Sequence, residues 1–158
     1  MTTRVGRTIL SNTGRPTMTT GSAYSAWDAV GAPFELKYAA GADGALIAQL
    51  NILDLGTSNA ALLAHFYSTA PVSATADGGT WTLNLVDMPY YCGAIAVSAG
   101  DWVTAGSAQN IARVSNQNIG VQGFNGSRSV WVQLQAPAVF TANGTANPFF
   151  VSTVGLQD

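Results

Sequence analysis

Charge is what this sequence has least of. Only 9% of its 158 residues are Asp, Glu, Lys or Arg, against about 25% in an ordinary soluble domain. It has a single Cys and a single His, and Glu35 and Lys37 are the only residues of their types. Each scarcity excludes something. With Cys92 alone, no intrachain disulfide forms and no Cys-rich zinc site exists; the thiol reads as a small buried apolar residue. One His and scattered carboxylates do not make a metal cluster. His65 is the sole candidate base, and no Gly-x-Ser-x-Gly elbow, phosphate loop or dinucleotide fingerprint accompanies it. Flanked by Ala64 and Phe66, it reads as a hydrogen-bonded strand residue. No apolar run nears the ~20 residues of a transmembrane helix. Met1 to Gly21 lacks the apolar stretch of a secretory signal. The expectation is a non-enzymatic protein with no catalytic residue, metal, cofactor or membrane partner.

The few charges are sorted. Arg4, Arg7 and Arg15 precede the first acid, Asp28, so the first 27 residues carry +3; Lys37, Arg113 and Arg128 against eight acids leave −5 for the rest. Three spaced arginines are too sparse for nucleic acid, whose binding segments are dense in Lys and Arg. Residues 1–23, rich in Thr, Ser and Gly around Pro16, read as an extended N-terminal arm with at most one short strand from Val5, Ile9 and Leu10. The arm reads as solvated or as docking on protein. Asp43, Asp77 and Asp101 lie beside Gly, where a short acceptor side chain stabilises a turn.

What fills the chain instead is alternation. Pro33 to Tyr38 alternates large apolar with charged residues, as a half-buried strand does. Leu46, Ala48, Leu50 and Ile52 share one predicted face of the next run. In the run after that, Leu62, Ala64 and Phe66 share one face and Leu63, His65 and Tyr67 the other. Both faces are largely apolar, so this strand is expected to be central or covered on both sides. Trp81, Leu83 and Leu85 alternate after an Asp77-Gly78-Gly79 turn. Asp87 to Tyr91 reads as irregular or single-turn helical, because Pro89 would break a ladder. Gly93 to Val97, Ile111 to Val114, Ile119 to Phe124, Ser129 to Ala136 and Phe149 to Val154 complete the strand candidates. Asn125-Gly126 reads as a hairpin turn between two of them. The pattern predicts an all-β single domain over 24–158, a sandwich or barrel of about eight to ten strands.

Four tryptophans stand apart. Trp81 and Trp131, in alternating strand patterns, are expected in the core. Trp27 and Trp102 lie near turns and are candidates for exposed contact.

The run Tyr24-Ser25-Ala26-Trp27-Asp28-Ala29-Val30-Gly31, the strand ending Ile52-Leu53-Asp54, the Asp87-Met88-Pro89-Tyr90-Tyr91-Cys92-Gly93-Ala94-Ile95 stretch and the final Ser129-Val130-Trp131-Val132-Gln133-Leu134 occur in an order that resembles small β-rich head decoration, or cement, proteins of tailed phages. The resemblance covers roughly residues 24–155. That family has a Gly before the Asp near Tyr24; here Trp27 stands there. The resemblance implies a jelly-roll-like β-sandwich on the outer surface of the capsid. Its partners would be the major capsid protein and further copies of itself, as a homotrimer. The arm before Tyr24 is not covered, so the resemblance implies no role for it; the residues expected at capsid or inter-subunit contacts are Arg4, Arg7 and Arg15 from the charge of the arm and Trp27 and Trp102 from their place near turns. The competing expectation is a receptor- or glycan-binding module of a virion fibre or tail structure, carried by the aromatic residues.

Overall fold

The computed structural model describes residues 7–18, 23–38, 44–122, 129–142 and 148–157. Every long element is a strand: β1 (Arg7–Leu10), β2 (Ala23–Tyr24), β3 (Ala29–Lys37), β4 (Gly44–Asp54), β5 (Leu62–Tyr67), β6 (Tyr91–Val97), β7 (Trp102–Gly106), β8 (Gln109–Val114), β9 (Ile119–Gln122), β10 (Ser129–Gln135), β11 (Phe140–Thr141) and β12 (Phe149–Gln157). One antiparallel sheet has the order β1-β12-β4-β8-β7, with β9 also pairing β4. The second has the order β3-β10-β5-β6, and β2 and β11 form a short pair. Single 3-10 turns occupy Met88–Tyr90, at the predicted interruption, and Ala99–Asp101.

Strand alternation sends one side of each sheet into a shared core. Leu50, Ile52, Phe149 and Val151 from the first sheet and Leu36, Ala64, Phe66, Val132 and Leu134 from the second are fully buried in one cluster. Each of these side chains larger than Ala64 contributes roughly 1.5–3 kcal/mol on leaving water. A hydrogen bond of 2.8 Å between the Tyr38 and Thr153 hydroxyls is buried with them. The expectation of an all-β fold with two packed sheets is met, and β5 is central, between β10 and β6.

Five expectations need correction. On β4, Leu50 and Ile52 point inward but Leu46 is exposed, and Ala45 and Ile47 are buried in its stead. The ladder with β12 passes from Gln49↔Val154 to Ile47↔Gly155, so Ala48 is an extra residue on this strand. A bulge of this kind reverses the phase of every residue beyond it. The predicted Asn125-Gly126 turn lies outside the described residues, and the strands on either side of it, β9 and β10, belong to different sheets. They therefore do not form a hairpin. Trp81 to Asn84 belongs to no ladder, and Leu85 opens a turn. Neither Trp81 nor Trp131 enters the core between the sheets; both are half-buried.

The fifth correction concerns the arm. Residues 7–10 pair with β12, and residues 11–18 run along the body. Ser11 N–H donates to the Thr153 carbonyl (3.0 Å), Asn12 N–H to that of Lys37 (2.8 Å), and Ala32 N–H to that of Thr17 (3.1 Å). Gly14 exchanges two backbone bonds with Val151. Pro16 and Met18 are buried. The segment satisfies amides along β3, the edge strand of its sheet, which would otherwise offer unpaired groups to other chains. An Arg-bearing stretch poor in large apolar residues has no alternation to announce this, because its contacts are mostly made by backbone.

The close approach leaves no room at Gly14. A Cβ there would lie 2.7 Å from Phe34 Cδ2 and 2.8 Å from Leu36 Cδ2. Gly14→Ala is expected to destabilise the fold by about 1–3 kcal/mol, the usual cost of overpacking, read as a lower urea midpoint with an unchanged slope.

Candidate functional site

The outer side of the second sheet carries the densest cluster of polar and aromatic groups. Ladder pairing sets His65 opposite Gln133, Leu63 opposite Gln135 and Tyr67 opposite Trp131, on the side away from Ala64, Phe66, Val132 and Leu134. Residues 68–90 cross this side as a segment whose strand pairing is the single antiparallel bridge of Thr80 with Asp28. Its backbone groups and those of the turn beside it need partners, since an unpaired buried amide or carbonyl is costly. Gln133 accepts from the Trp81 indole N–H (3.1 Å) and donates to the Thr75 carbonyl (2.7 Å). Gln135 donates to the Trp27 carbonyl (3.3 Å), and its Oε1 lies 2.9 Å from His65 Nε2.

That last contact assigns the imidazole. An amide oxygen only accepts, so Nε2 carries the proton and Nδ1, 3.1 Å from the Tyr91 hydroxyl, accepts from it. Trp81 stacks on the ring at 3.8 Å and 15°. Burial lowers the pKa of His65, opposed by its bond to Gln135. Burial also pushes Tyr67 up to about 12 and raises Tyr91. Both imidazole nitrogens are engaged with neutral partners under a tryptophan. The arrangement holds the crossing segment down and leaves no nitrogen open to a reacting group.

The carboxylates are used in the same way. Asp28 accepts from Ser25 N–H (2.7 Å). Asp54 accepts from the amides of Gly56 and Ser58 and from the Ser58 hydroxyl, each at 2.7 Å. Asp87 accepts from the amides of Val72 (2.7 Å) and Ser73 (3.1 Å). Asp101 closes the predicted turn by accepting from Ser98 N–H and Oγ. Asp77 reaches further than a turn residue, accepting from the Tyr24 hydroxyl (2.8 Å) and Gly31 N–H (2.6 Å). The Tyr24 phenol is correspondingly raised, first by burial and then by this contact. Glu35 pairs with Lys37 at 3.2 Å and accepts from Ser129. Among the described residues, no group of three or more His, Cys, Asp or Glu is arranged to hold a metal ion. Asp43 lies outside them.

The sequence-derived contact residues do not gather in one place. Arg4 lies outside the described residues, and Arg7 opens β1. Arg15 is exposed, its guanidinium 4.9 Å from the centre of the Phe150 ring on the first sheet, a contact worth about 0.5–1 kcal/mol at an exposed site. Trp102 is half-buried against the core. Its indole N–H donates to the Ala60 carbonyl (2.9 Å), so it supports the fold. Cys92 is also half-buried; burial raises its thiol pKa.

Trp27 differs from all of these. It is 55% exposed and has φ +76°, in a turn closed by Asp28 N–H donating to the Ser25 carbonyl. This turn position favours Gly, and a bulky residue there stores strain of about 1–3 kcal/mol. The conformation is held from both sides. Trp27 N–H donates to Ala136, and its carbonyl accepts from Trp81 N–H and from Gln135.

Two apolar surfaces escape the sequence reading. Phe150, Leu53, Ile111 and Val103 are adjacent across four strands of the first sheet, with Val103 64% exposed. On the crossing segment Val72, Leu85, Val86 and Met88 are all exposed. Gln133 and Gln135 were missed for a related reason. Alternating with Val132 and Leu134, they read as solvent-facing, and only the crossing segment buries them. No protein-family model, curated protein or solved structure matches this chain.

Two outcomes follow from the His65–Gln133 network. The folded state resists protonating His65 more than the unfolded chain does, because its pKa lies below the ordinary 6.5. Stability is therefore expected to fall as the pH drops from neutral through 6.5 towards the lower folded value. His65→Gln should flatten that part of a stability–pH curve measured by urea denaturation. Gln133→Leu leaves the Trp81 indole N–H and the Thr75 carbonyl without their partner. About 1–3 kcal/mol per group left unpaired is expected, measured as a fall in thermal midpoint.

Proposed function

We propose that this chain is a non-enzymatic decoration protein that binds the outer surface of a tailed-phage head and clamps neighbouring major capsid protein subunits, working as a homotrimer on the virion. Support begins with the residue pattern between Tyr24 and Leu134 that resembles such proteins. The strand order adds to it. With the edge strand β7 set aside, β1-β12-β4-β8 faces β3-β10-β5-β6, and the chain passes from one sheet to the other at most of its connections, with β5 and β6 paired in one sheet, as in a jelly roll.

The observation that carries the reading is the combination of a hydrogen-bonded, charge-poor body with exposed apolar side chains. Val72 and Leu85 are 81% and 80% exposed, and the described carboxylates are occupied internally. Contiguous apolar exposure marks interaction surfaces, and the cores of protein interfaces are depleted in charge. No cofactor enters this function.

The test is co-sedimentation of the purified protein with undecorated shells of a phage that encodes it. Saturable binding at a fixed ratio to capsid subunits is expected, with trimer mass in light scattering of the bound or free protein. Absence of binding at micromolar concentration overturns the reading. A positive glycan array in its place would move the assignment to a receptor-binding module.

A further inference from the structure

We infer that Trp27 is the anchor by which the protein seats on its shell, an indole presented on a turn for insertion into an uncharged pocket of the capsid surface. The inference rests on the decoration reading above and names the contact within it.

The argument starts from the conformation. A side chain is retained at positive φ when its surroundings impose the backbone and the residue type has another use. The first condition is met by three hydrogen bonds that fix the Trp27 amide and carbonyl against Ala136, Trp81 and Gln135. Folding does not require the indole, which is more exposed than buried and sits where Gly would relieve the strain. Its three counterparts are committed elsewhere. Trp81 covers His65, Trp102 bonds to Ala60, and Trp131 lies half-buried in the ladder between β3 and β5.

The neighbourhood selects the occupant. Residues 25–27 and 137–139 both lie between the Tyr24–Phe140 pairing and the backbone bonds of Ala136 to Trp27 and Asp28. They place Ala26, Ala138 and Val139 as exposed companions of Trp27, Val139 at 73%. These segments contain no charged residue, and the Asp28 carboxylate beside them is buried on the Ser25 amide. Phosphate finds no cation on these segments, and beside the Trp27 indole the exposed Ser25 hydroxyl is their one side-chain hydrogen-bonding group, too few for the several hydroxyls of a sugar. An uncharged pocket on protein matches all of them, and a rigidly held tryptophan is the residue type most often dominant in such contacts.

The experiment compares wild type with Trp27→Gly and Trp27→Asn, both at ease at positive φ. Thermal midpoints equal to or above wild type are expected, with affinity for undecorated shells weakened at least about tenfold. If wild type and both variants bind alike, the anchor is elsewhere and the inference fails while the decoration reading stands. If wild type does not bind shells, that reading fails and takes the shell pocket with it. A change in oligomeric state of the variants, read by light scattering, would make a second copy the occupant and overturn the inference.

Discussion

One side of the second sheet is covered by a segment whose only β-pairing among the described residues is the bridge of Thr80 with Asp28. Residues 68–90 exclude water from one side of the second sheet, so their peptide groups must find partners among side chains and turns. Gln133 and Asp87 supply them directly, and Gly78 and Gly79 exchange backbone bonds with Ala29. His65 must then be neutral, because it lies beneath Trp81 with only neutral bonding partners. Polar side chains on β5 and β10 thus become interior residues, and their geometry sets where Trp27 stands.

The same economy accounts for the scarcity of charge. An ionised carboxylate at the margin of a dry region persists where several N–H or O–H groups converge on it. Asp54, Asp77, Asp87 and Asp101 each hold two or more such donors and so act as connectors. Two of the links are long-range. Asp77 ties the crossing segment to Tyr24 and Gly31, and Asp87 ties its two ends together. A surface relieved of charge in this way keeps Val72, Leu85 and Trp27 available for contact.

Much of the fold was legible because its signal is local. Period-two alternation in β3, β5, β10 and β12 needs only a strand with one side in a core. The turn chemistry of Ser98 to Asp101 and the break at Pro89 act over a few residues. Where a contact depends on distant chain, the reading failed. The bulge at Ala48 reverses the face of Leu46 without any Gly or Pro to mark it. The N-terminal segment joins the body mostly through backbone bonds, which leave no alternation in the sequence to mark them. Trp81 and Trp131 are apolar enough for the core, yet they sit on the opposite side of the sheet because a second layer exists there.

The candidate site divides along the same line. That charge is scarce, that strands dominate and that β5 is covered on both sides could be read from composition and alternation, which are properties of the chain alone. The engagement of both His65 nitrogens, the place of Trp102 in the framework and the exposure of the Trp27 side chain arise only once the chain is folded. Those distinctions depend on which backbone groups converge on each side chain across tens of residues, and on a φ of +76° that the Ala136, Trp81 and Gln135 contacts impose.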